Sequence, residues 1–178
     1  MLDLREVPTL ETFRLRLRRP GESDTEGLAA MFADARYMRF LGDGKTADRA
    51  EAWCAIAGTL GHWVLRGHGL FSIEEKTTGR FIGWSGLLSP EGWPGVEIAW
   101  GIAPDFWGRG LATEAATSVR DYAFLGLRLP RLVSLIHPEN AASIRVAAKI
   151  GECFEHAIEF QGRSLSLYAI AAPWARSR

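Results

Sequence analysis

Hydrophobic and polar residues alternate strictly over residues 12–18, near the start of the chain. Apolar side chains occupy one side of this stretch and arginines the other: Phe13, Leu15 and Leu17 against Arg14, Arg16 and Arg18. A period of two is typical of a half-buried β-strand. Apart from Arg19, nothing basic follows the arginine row closely, so we interpret it as an exposed strand face and not as a phosphate-binding track.

After Pro20 the apolar spacing changes to three and four, which is typical of an amphipathic helix. Ser23 or Asp24 is a suitable N-cap for it, and Thr46 is one for a second helix that follows the turn at residues 42–44. The apolar positions are Leu28, Met31, Phe32 and Ala35 in the first helix and Ala50, Trp53, Cys54, Ala57 and Leu60 in the second. We therefore expect two consecutive helices.

From Gly69 onward the period returns to two, and helical stretches then alternate with strands. Asn140 suits the N-cap of the last helix and Gly151 its C′ position. The predicted strands are residues 70–73, 81–88, 96–102, 132–136, 154–160 and 164–170, and the later helices lie within residues 105–125 and 141–150. With the first strand and the first two helices, this order predicts an α/β domain with a mixed, mostly antiparallel sheet of about seven strands and four helices.

The chain has 178 residues, 47% of them hydrophobic, with 21 Lys+Arg against 21 Asp+Glu. This indicates one globular domain, residues 1–178. A net charge of zero argues against nucleic acid as a partner, and no stretch is apolar enough to span a membrane. Cys54 and Cys153 are distant from each other in apolar surroundings, and we interpret them as buried, reduced thiols. Residues 1–8 lack the apolar core of a signal peptide, so we expect a cytoplasmic protein.

A glycine-rich turn lies between a predicted strand and a predicted helix, in the run Trp107-Gly108-Arg109-Gly110-Leu111-Ala112-Thr113. Two glycines at a helix start leave backbone N–H groups free to bind phosphate oxygens at the positive end of the helix dipole. Thr113 stands where a dinucleotide-binding loop needs its third glycine, and no Walker sequence occurs. The turn therefore predicts a phosphate-bearing ligand of another kind, or a turn that binds nothing.

Three segments in order resemble the GCN5-related N-acetyltransferase (GNAT) superfamily, and more closely its ribosomal-protein-alanine acetyltransferase-like (RimJ/RimL-type) branch. They are the strand at 96–102, the turn at 107–112, and the run from Asn140-Ala-Ala-Ser143 to Lys149-Ile150-Gly151. The family's loop reads Gln/Arg-x-x-Gly-x-Gly/Ala. Here Trp107 takes the first place, while Gly110 and Ala112 match. The resemblance covers nearly the whole chain and implies the GNAT fold, with a V-shaped splay between its central strands.

The resemblance also implies acetyl-CoA as cosubstrate, bound with its pyrophosphate on the turn and its pantetheine arm along the strand before it. The residues that would bind it are Trp100, Gly101, Ile102, Trp107, Gly108, Arg109, Gly110, Leu111, Ala112, Thr113 and Asn140. Helix capping explains Asn140 equally well. No metal is expected, because the four histidines and two cysteines show no ligand spacing.

Glu97 is the candidate general base, because it lies in an otherwise apolar strand where burial would raise its pKa. The alternative is an outward-facing Glu in a salt bridge. Ser143 is the candidate donor to the leaving thiolate, since Ala147 stands where many family members carry Tyr. A plain capping-turn hydroxyl is the alternative for Ser143. Glu152, where the family usually has an apolar residue, is expected to alter only a turn.

The implied function is N-acetyl transfer to a primary amine by direct attack in a ternary complex, because no nucleophilic Cys or Ser has a partner base. We expect Trp53, Trp63, Trp84 and Trp93 in the walls of the acceptor site, with few acidic residues. This favours a protein N-terminus or a small, partly apolar amine over a polycation. Two alternatives stay open: a non-catalytic CoA-binding regulatory module, and an acyltransferase that uses another acyl-CoA. The resemblance also allows a homodimer.

Overall fold

The computed structural model describes residues 3–175, which form a mixed sheet flanked by helices. The strands are β1 (Leu10–Glu11), β2 (Leu15–Arg18), β3 (Leu70–Glu75), β4 (Arg80–Leu88), β5 (Glu97–Ile102), β6 (Arg131–Ile136), β7 (Cys153–Phe160) and β8 (Arg163–Ala171). The helices are α1 (Thr25–Phe32), α2 (Ala35–Met38), α3 (Arg49–Arg66), α4 (Leu111–Asp121) and α5 (Ala141–Lys149). The predicted α/β class is confirmed.

The strands of the described sheet follow the order β1-β2-β3-β4-β5-β6-β8-β7. All neighbours are antiparallel except β5 and β6, which are parallel. These two central strands are paired at Glu97 and Val133. Beyond that point no further paired residues join β5 and β6 among residues 3–175. The expected V-shaped opening is present, and we call it the β5–β6 gap.

Apolar residues pack on both faces of the sheet. The larger cluster places α4 against the strands, with Leu111, Ala115 and Val119 of the helix beside Ile82 and Ile98. Smaller clusters pack α1 and α3 against β4 on other surfaces of the sheet. The gap between β5 and β6 therefore lies near the centre of the sheet, and helices pack on the sheet around it.

Two short elements raise the counts above the predicted seven strands and four helices. A tight turn, in which the Thr12 N–H donates to the Leu15 carbonyl at 2.9 Å, folds β1 back onto β2. This turn interrupts the alternating stretch, so Phe13 is 94% exposed and not on the buried side as predicted. Asp34 accepts a hydrogen bond from the Arg36 N–H and starts the one-turn helix α2, so Ala35 does not belong to the first helix.

Two further predictions of local structure were wrong. The N-cap of α3 is Asp48 and not Thr46, because Asp48 and Glu51 form a capping box. Cys54 and Cys153 are free thiols as predicted but are exposed, since one lies on the outer face of α3 and the other begins the edge strand β7. No helix among residues 3–175 is long and apolar enough to cross a membrane.

Candidate functional site

The glycine-rich turn joins the carboxyl end of β5 to α4. Gly108 and Gly110 both have left-handed backbone conformations, with φ of 75° and 76°, which only glycine adopts without strain. Gly110 is the N-cap of α4 and has no side chain that could accept from the first helical N–H groups. The turn therefore leaves the positive end of α4 open to an anion, as the sequence predicted.

Three contacts fix the turn in place. The Trp107 indole N–H donates to the Ile102 carbonyl at 2.6 Å, and the Arg109 guanidinium donates to Glu75 at 2.6 Å. Arg14 approaches from the N-terminal segment and donates to the Arg109 carbonyl at 2.9 Å. Arg14 also pairs with Glu114 in the first turn of α4 at 2.7 Å. A second cation thus lies beside the turn, whereas the alternating pattern predicted only an exposed face for the whole arginine row.

The predicted cofactor-binding residues fall into two neighbouring groups. Trp107 to Thr113 form the turn and the start of α4, whereas Trp100, Gly101 and Ile102 lie on β5 directly before it. Gly101 is buried beneath the Trp84 ring and the Tyr37 hydroxyl, which come too close for any side chain at that position. Its backbone is therefore covered on that face.

Asn140 and Ser143 lie at the start of α5. The Asn140 side chain accepts from the Ser143 N–H at 3.1 Å, so its predicted capping role is confirmed. Because β5 and β6 are parallel, the helices that follow them begin at the same edge of the sheet. The structure therefore brings the half-buried Ser143 and the glycine-rich turn to the wide end of the β5–β6 gap.

Glu97 lies at the narrow end of the gap, where β5 and β6 pair. It is buried, and its carboxylate accepts from the Trp93 indole N–H at 2.6 Å and from the Leu135 N–H of β6 at 3.2 Å. Burial raises the pKa of Glu97, while these two hydrogen bonds oppose the shift. The alternative of an outward-facing glutamate in a salt bridge is wrong.

Glu152 does more than alter a turn, which corrects the expectation from sequence. It is 3% exposed, and its Oε1 lies 3.2 Å from the Ser134 hydroxyl, which in turn lies 2.7 Å from the Ile98 carbonyl of β5. Burial raises the pKa of Glu152 to about 8, and the nearby charge of Glu97 acts in the same direction. Glu152 and Glu97 are thus two buried acids near the narrow end of the gap, and the burial of Glu152 was not predicted from the sequence.

An apolar cavity of about 290 Å³ lies between α1, α3 and the strands β3 and β4. Its walls include Leu28, Phe32, Met38, Ala55, Phe81 and Trp84. Asp24 is the carboxylate in this lining, and it is already paired with Arg18 at 2.7 Å and bonded by the Ser72 hydroxyl at 2.7 Å. The cavity therefore has apolar walls and no unpaired acid.

The tryptophans that we expected to line the acceptor site have different positions. Trp84 lines the cavity, and Trp93 contacts Glu97. Trp63 is fully buried in the main core, where its N–H donates to the Leu70 carbonyl, and Trp53 is 47% exposed on α3. Trp63 therefore does not line the acceptor site, because its side chain lies in the main core.

Metal-ligating residues do not gather at this site. No group of three or more His, Cys, Asp or Glu side chains within residues 3–175 could hold a metal ion. His62 and His68 lie together, but the His62 ring bonds the His68 carbonyl and the Ser89 N–H, and the His68 ring bonds the Ser89 hydroxyl at the start of the loop between β4 and β5. These hydrogen bonds indicate a structural role for both histidines.

Comparisons with known proteins agree with this architecture. Residues 14–152 match the model of the acetyltransferase (GNAT) domain. The chain is 30% identical over 146 residues to the uncharacterized N-acetyltransferase YoaA of Bacillus subtilis (strain 168), covering 81% of this chain and 82% of that protein. The crystal structure of an acetyltransferase from Agrobacterium tumefaciens str. C58 is 34% identical, with a TM-score of 0.82 over 93% of this chain and 95% of that one.

RimJ of Mycobacterium smegmatis, solved in complex with CoA-disulfide, shares the fold at 22% identity and a TM-score of 0.78, over 94% of this chain and 88% of that one. The fold, the open helix end and these matches define an acyltransferase dependent on acetyl-CoA. The chain belongs to the GNAT acetyltransferase family.

Proposed function

We propose that this protein transfers an acetyl group from acetyl-CoA to a primary amine by direct attack in a ternary complex. The observation that carries the proposal is the open N-terminus of α4 at Gly110, beside the β5–β6 gap. A free helix end suits a pyrophosphate, and a gap between parallel strands suits a long, narrow arm. Acetyl-CoA combines both features and supplies an activated thioester.

The residues that would hold the cosubstrate are those of the turn and of the strand before it. The N–H groups at the start of α4, from Leu111 to Thr113, would face the pyrophosphate, and Arg109 and Arg14 add positive charge beside it. Along β5, the backbone groups between Trp100 and Ile102 that face β6 would pair with the pantetheine arm, because β6 no longer pairs with the strand there. The Ile102 carbonyl is not among them, since it already accepts from the Trp107 indole. A backbone N–H of this strand is also suited to stabilise the oxyanion of the tetrahedral intermediate.

Glu97 is suited to the role of general base. An alkyl ammonium group with a pKa near 10 must lose a proton before it can attack, and a buried carboxylate with a raised pKa is a better base than an exposed one. The Trp93 and Leu135 N–H groups hold its two oxygens in a fixed orientation. Each oxygen still has a lone pair for the amine or for a bridging water.

Ser143 is suited to protonate the leaving thiolate. Its backbone N–H is fixed by Asn140, which leaves its hydroxyl free at the first turn of α5. Ala147, at the position where many family members carry Tyr, is completely buried and has no polar group to offer. Ser143 has no side-chain base as a hydrogen-bond partner in the described structure, which supports direct attack on the thioester over a covalent acyl-serine.

The apolar cavity supports an acceptor with a hydrophobic group next to its amine. Trp84 separates the cavity from β5 and pairs with Gly101 in the sheet, so an acceptor bound there lies next to the strand that faces the cosubstrate. Asp24 is neutralised by Arg18 and offers no free charge to a polycation. We therefore propose a primary amine with an aromatic or branched aliphatic group, either a small molecule or the N-terminal residue of a peptide.

The test is an acetyl-CoA consumption assay with three acceptor groups: apolar primary amines, peptides with apolar N-terminal residues, and spermidine as a polycation. Glu97→Gln and Ser143→Ala are compared with Glu91→Gln and Ser164→Ala, which change exposed residues elsewhere. We expect the two site variants to lose about 10²-fold or more in kcat and the controls to keep it. Tight CoA binding without turnover of any acceptor would leave a binding module, and preference for another acyl-CoA would change the donor.

A further inference from the structure

Glu152 is a buried acid for which the proposed acetyl transfer has no role. Its backbone N–H donates to the Ala147 carbonyl at 2.9 Å at the end of α5, and its side chain turns inward to Ser134 of β6. Its Oε2 is buried and has no hydrogen-bond partner within residues 3–175. A charged carboxylate with an unpartnered, buried oxygen is costly, so its protonation state needs an explanation.

Hydrogen counting at Ser134 gives that explanation. A hydroxyl donates one hydrogen, and the Ile98 carbonyl can only accept. The Ser134 oxygen is 2.7 Å from the Ile98 oxygen and 3.2 Å from Oε1 of Glu152, so the shorter contact takes the Ser134 hydrogen. The contact between Glu152 and Ser134 is then a hydrogen bond only if Glu152 carries a proton and donates it.

The charges around Glu152 favour the same state. From β5 the carboxylate of Glu97 adds negative charge, and from α4 the Arg120 guanidinium bonds the Ile150 carbonyl and Asp121 in place of Glu152. Glu155 on β7 is paired with Arg131. No described Lys or Arg forms an ion pair with Glu152, and burial raises its pKa to about 8.

We propose that Glu152 is a positioning residue that is protonated at neutral pH and donates to Ser134, so that Ser134 donates to Ile98 and ties β6 to β5 at the narrow end of the gap. The relay supplies a cross-strand bond beyond the register pair of Glu97 and Val133. Its last acceptor is the carbonyl of Ile98, the residue after Glu97, so the hydrogen bonds fix the position of the candidate base relative to β6. Its importance for catalysis rests on the proposed function, whereas the protonation of Glu152 does not.

The protonation is tested without any substrate. A folded-state pKa raised from 4.5 to about 8 means that the folded protein keeps a proton that the unfolded chain loses. The contribution of Glu152 to stability therefore falls as pH rises through this window. Glu152→Gln cannot ionise, so its unfolding free energy should rise relative to that of the parent protein between about pH 5 and about pH 8 and then level off.

Infrared difference spectra between about pH 6 and about pH 9 give an independent readout. The parent protein should lose the C=O band of a protonated carboxylic acid over this range, and Glu152→Gln should lack that change. A stability difference that is flat with pH, together with identical spectra for the two proteins, would overturn the proposal. These measurements decide the proposal even if no amine is acetylated, so its failure and that of the proposed function are distinguishable.

The positioning role is tested by rescue. Glu152→Gln keeps a donor to Ser134 and should retain kcat within about twofold at pH 7, whereas Glu152→Leu and Ser134→Ala should each lose about tenfold or more. Activity of the parent protein should fall above about pH 8 as Glu152 ionises, and Glu152→Gln should remove this loss. If Glu152→Gln is as impaired as Glu152→Leu while folded, the carboxyl acts in its charged form and the proposal is wrong.

Discussion

The Trp93 indole donates to Oε2 of Glu97 at 2.6 Å and packs edge-on against Phe160 at a centroid distance of 4.8 Å. The loop between β4 and β5 is thus connected both to the first residue of β5 and to the final hairpin. Glu97 is held from one side by this loop and from the other by the Leu135 N–H of β6. The position of the candidate base therefore depends on three separate segments.

Trp93→Phe should move the acid limb of the kcat/KM profile to higher pH. Phenylalanine keeps an aromatic ring against Phe160 but removes the N–H that stabilises the charged form of Glu97, so the pKa of Glu97 rises further. A hydrogen bond to a charged group is worth about 1.5–3 kcal/mol, so its loss should displace the acid limb measurably. Trp174→Phe, on the surface, is the control. An unmoved acid limb would mean that another group titrates.

Gly110→Ala should weaken both the fold and acetyl-CoA binding. The nearest neighbour of an added Cβ is Arg14 at 3.7 Å, so the cost comes from the φ of 76° and not from a clash. We expect a loss of about 1 kcal/mol in unfolding free energy and a several-fold rise in KM for acetyl-CoA. Gly58→Ala, in open space on α3, should instead gain about 0.5–1 kcal/mol. Equal effects of the two substitutions on stability would contradict the strain argument.

Arg14→Gln should raise KM for acetyl-CoA more than it lowers kcat. Arg14 contacts the Arg109 carbonyl and Glu114, so its loss loosens the turn and removes positive charge beside it. We expect a several-fold rise in KM that shrinks at high salt, because exposed charges are screened. The control is Arg16→Gln, which removes an arginine of the same row that pairs with Glu11. A rise in KM of the same size in the control would assign the effect to overall charge.

Ala55→Leu should discriminate between acceptors by size. Ala55 lines the apolar cavity, so a larger side chain reduces its volume, whereas Ala57 lies on the exposed side of the same helix. KM should rise about tenfold for amines with an aromatic group and change little for methylamine-sized acceptors. Ala57→Leu should change neither value. Uniform inhibition of all acceptors by Ala55→Leu would indicate a disturbed fold and would place acceptor binding elsewhere.

The fold and the glycine-rich turn could be predicted because their signals are local. The periods of two and 3.6 gave the main strands and helices, and the glycines at 108 and 110 marked the turn. Asp48 could have been found as well, since the spacing to Glu51 is that of a capping box. The short elements β1 and α2 could not, because two to four residues are too few for a period to show.

The sequence could not predict the contacts that join distant segments. Arg14 reaches Arg109 across 95 positions. Glu152 is far from Glu97 along the chain, and the two lie near each other only because β6 and α5 pack beside β5. An inward Glu after a helix-ending glycine looks the same in sequence as an outward one. The available signal was a Glu at position 152, where the family usually has an apolar residue. The structure explains this position as a buried one, which an apolar residue would also suit.

His62 and His68 should make the protein less stable in acid. His62 Nε2 accepts from the Ser89 N–H at 2.9 Å, so its Nδ1 must carry the hydrogen that faces the His68 carbonyl at 2.7 Å. Burial lowers the pKa of both rings, and the charge of Arg66 adds to this effect. Because the folded-state pKa lies below the unfolded value of 6.5, the stabilisation is fully present above pH 6.5 and is lost as pH falls from 6.5 through the lower folded-state pKa.

His62→Gln tests this dependence, because its side-chain carbonyl can still accept from Ser89 and does not titrate. The unfolding free energy of this variant, measured by denaturant titration between about pH 5 and about pH 8, should rise relative to the parent protein below about pH 6.5. His156→Gln, on the exposed strand β7, is the matched control. Ser89 begins the loop that carries Trp93, so protonation of the histidines in this pH range should also loosen the contact between Trp93 and Glu97. If the unfolding free energies of the parent protein and both variants depend identically on pH, the histidine pair does not cause the loss of stability in acid.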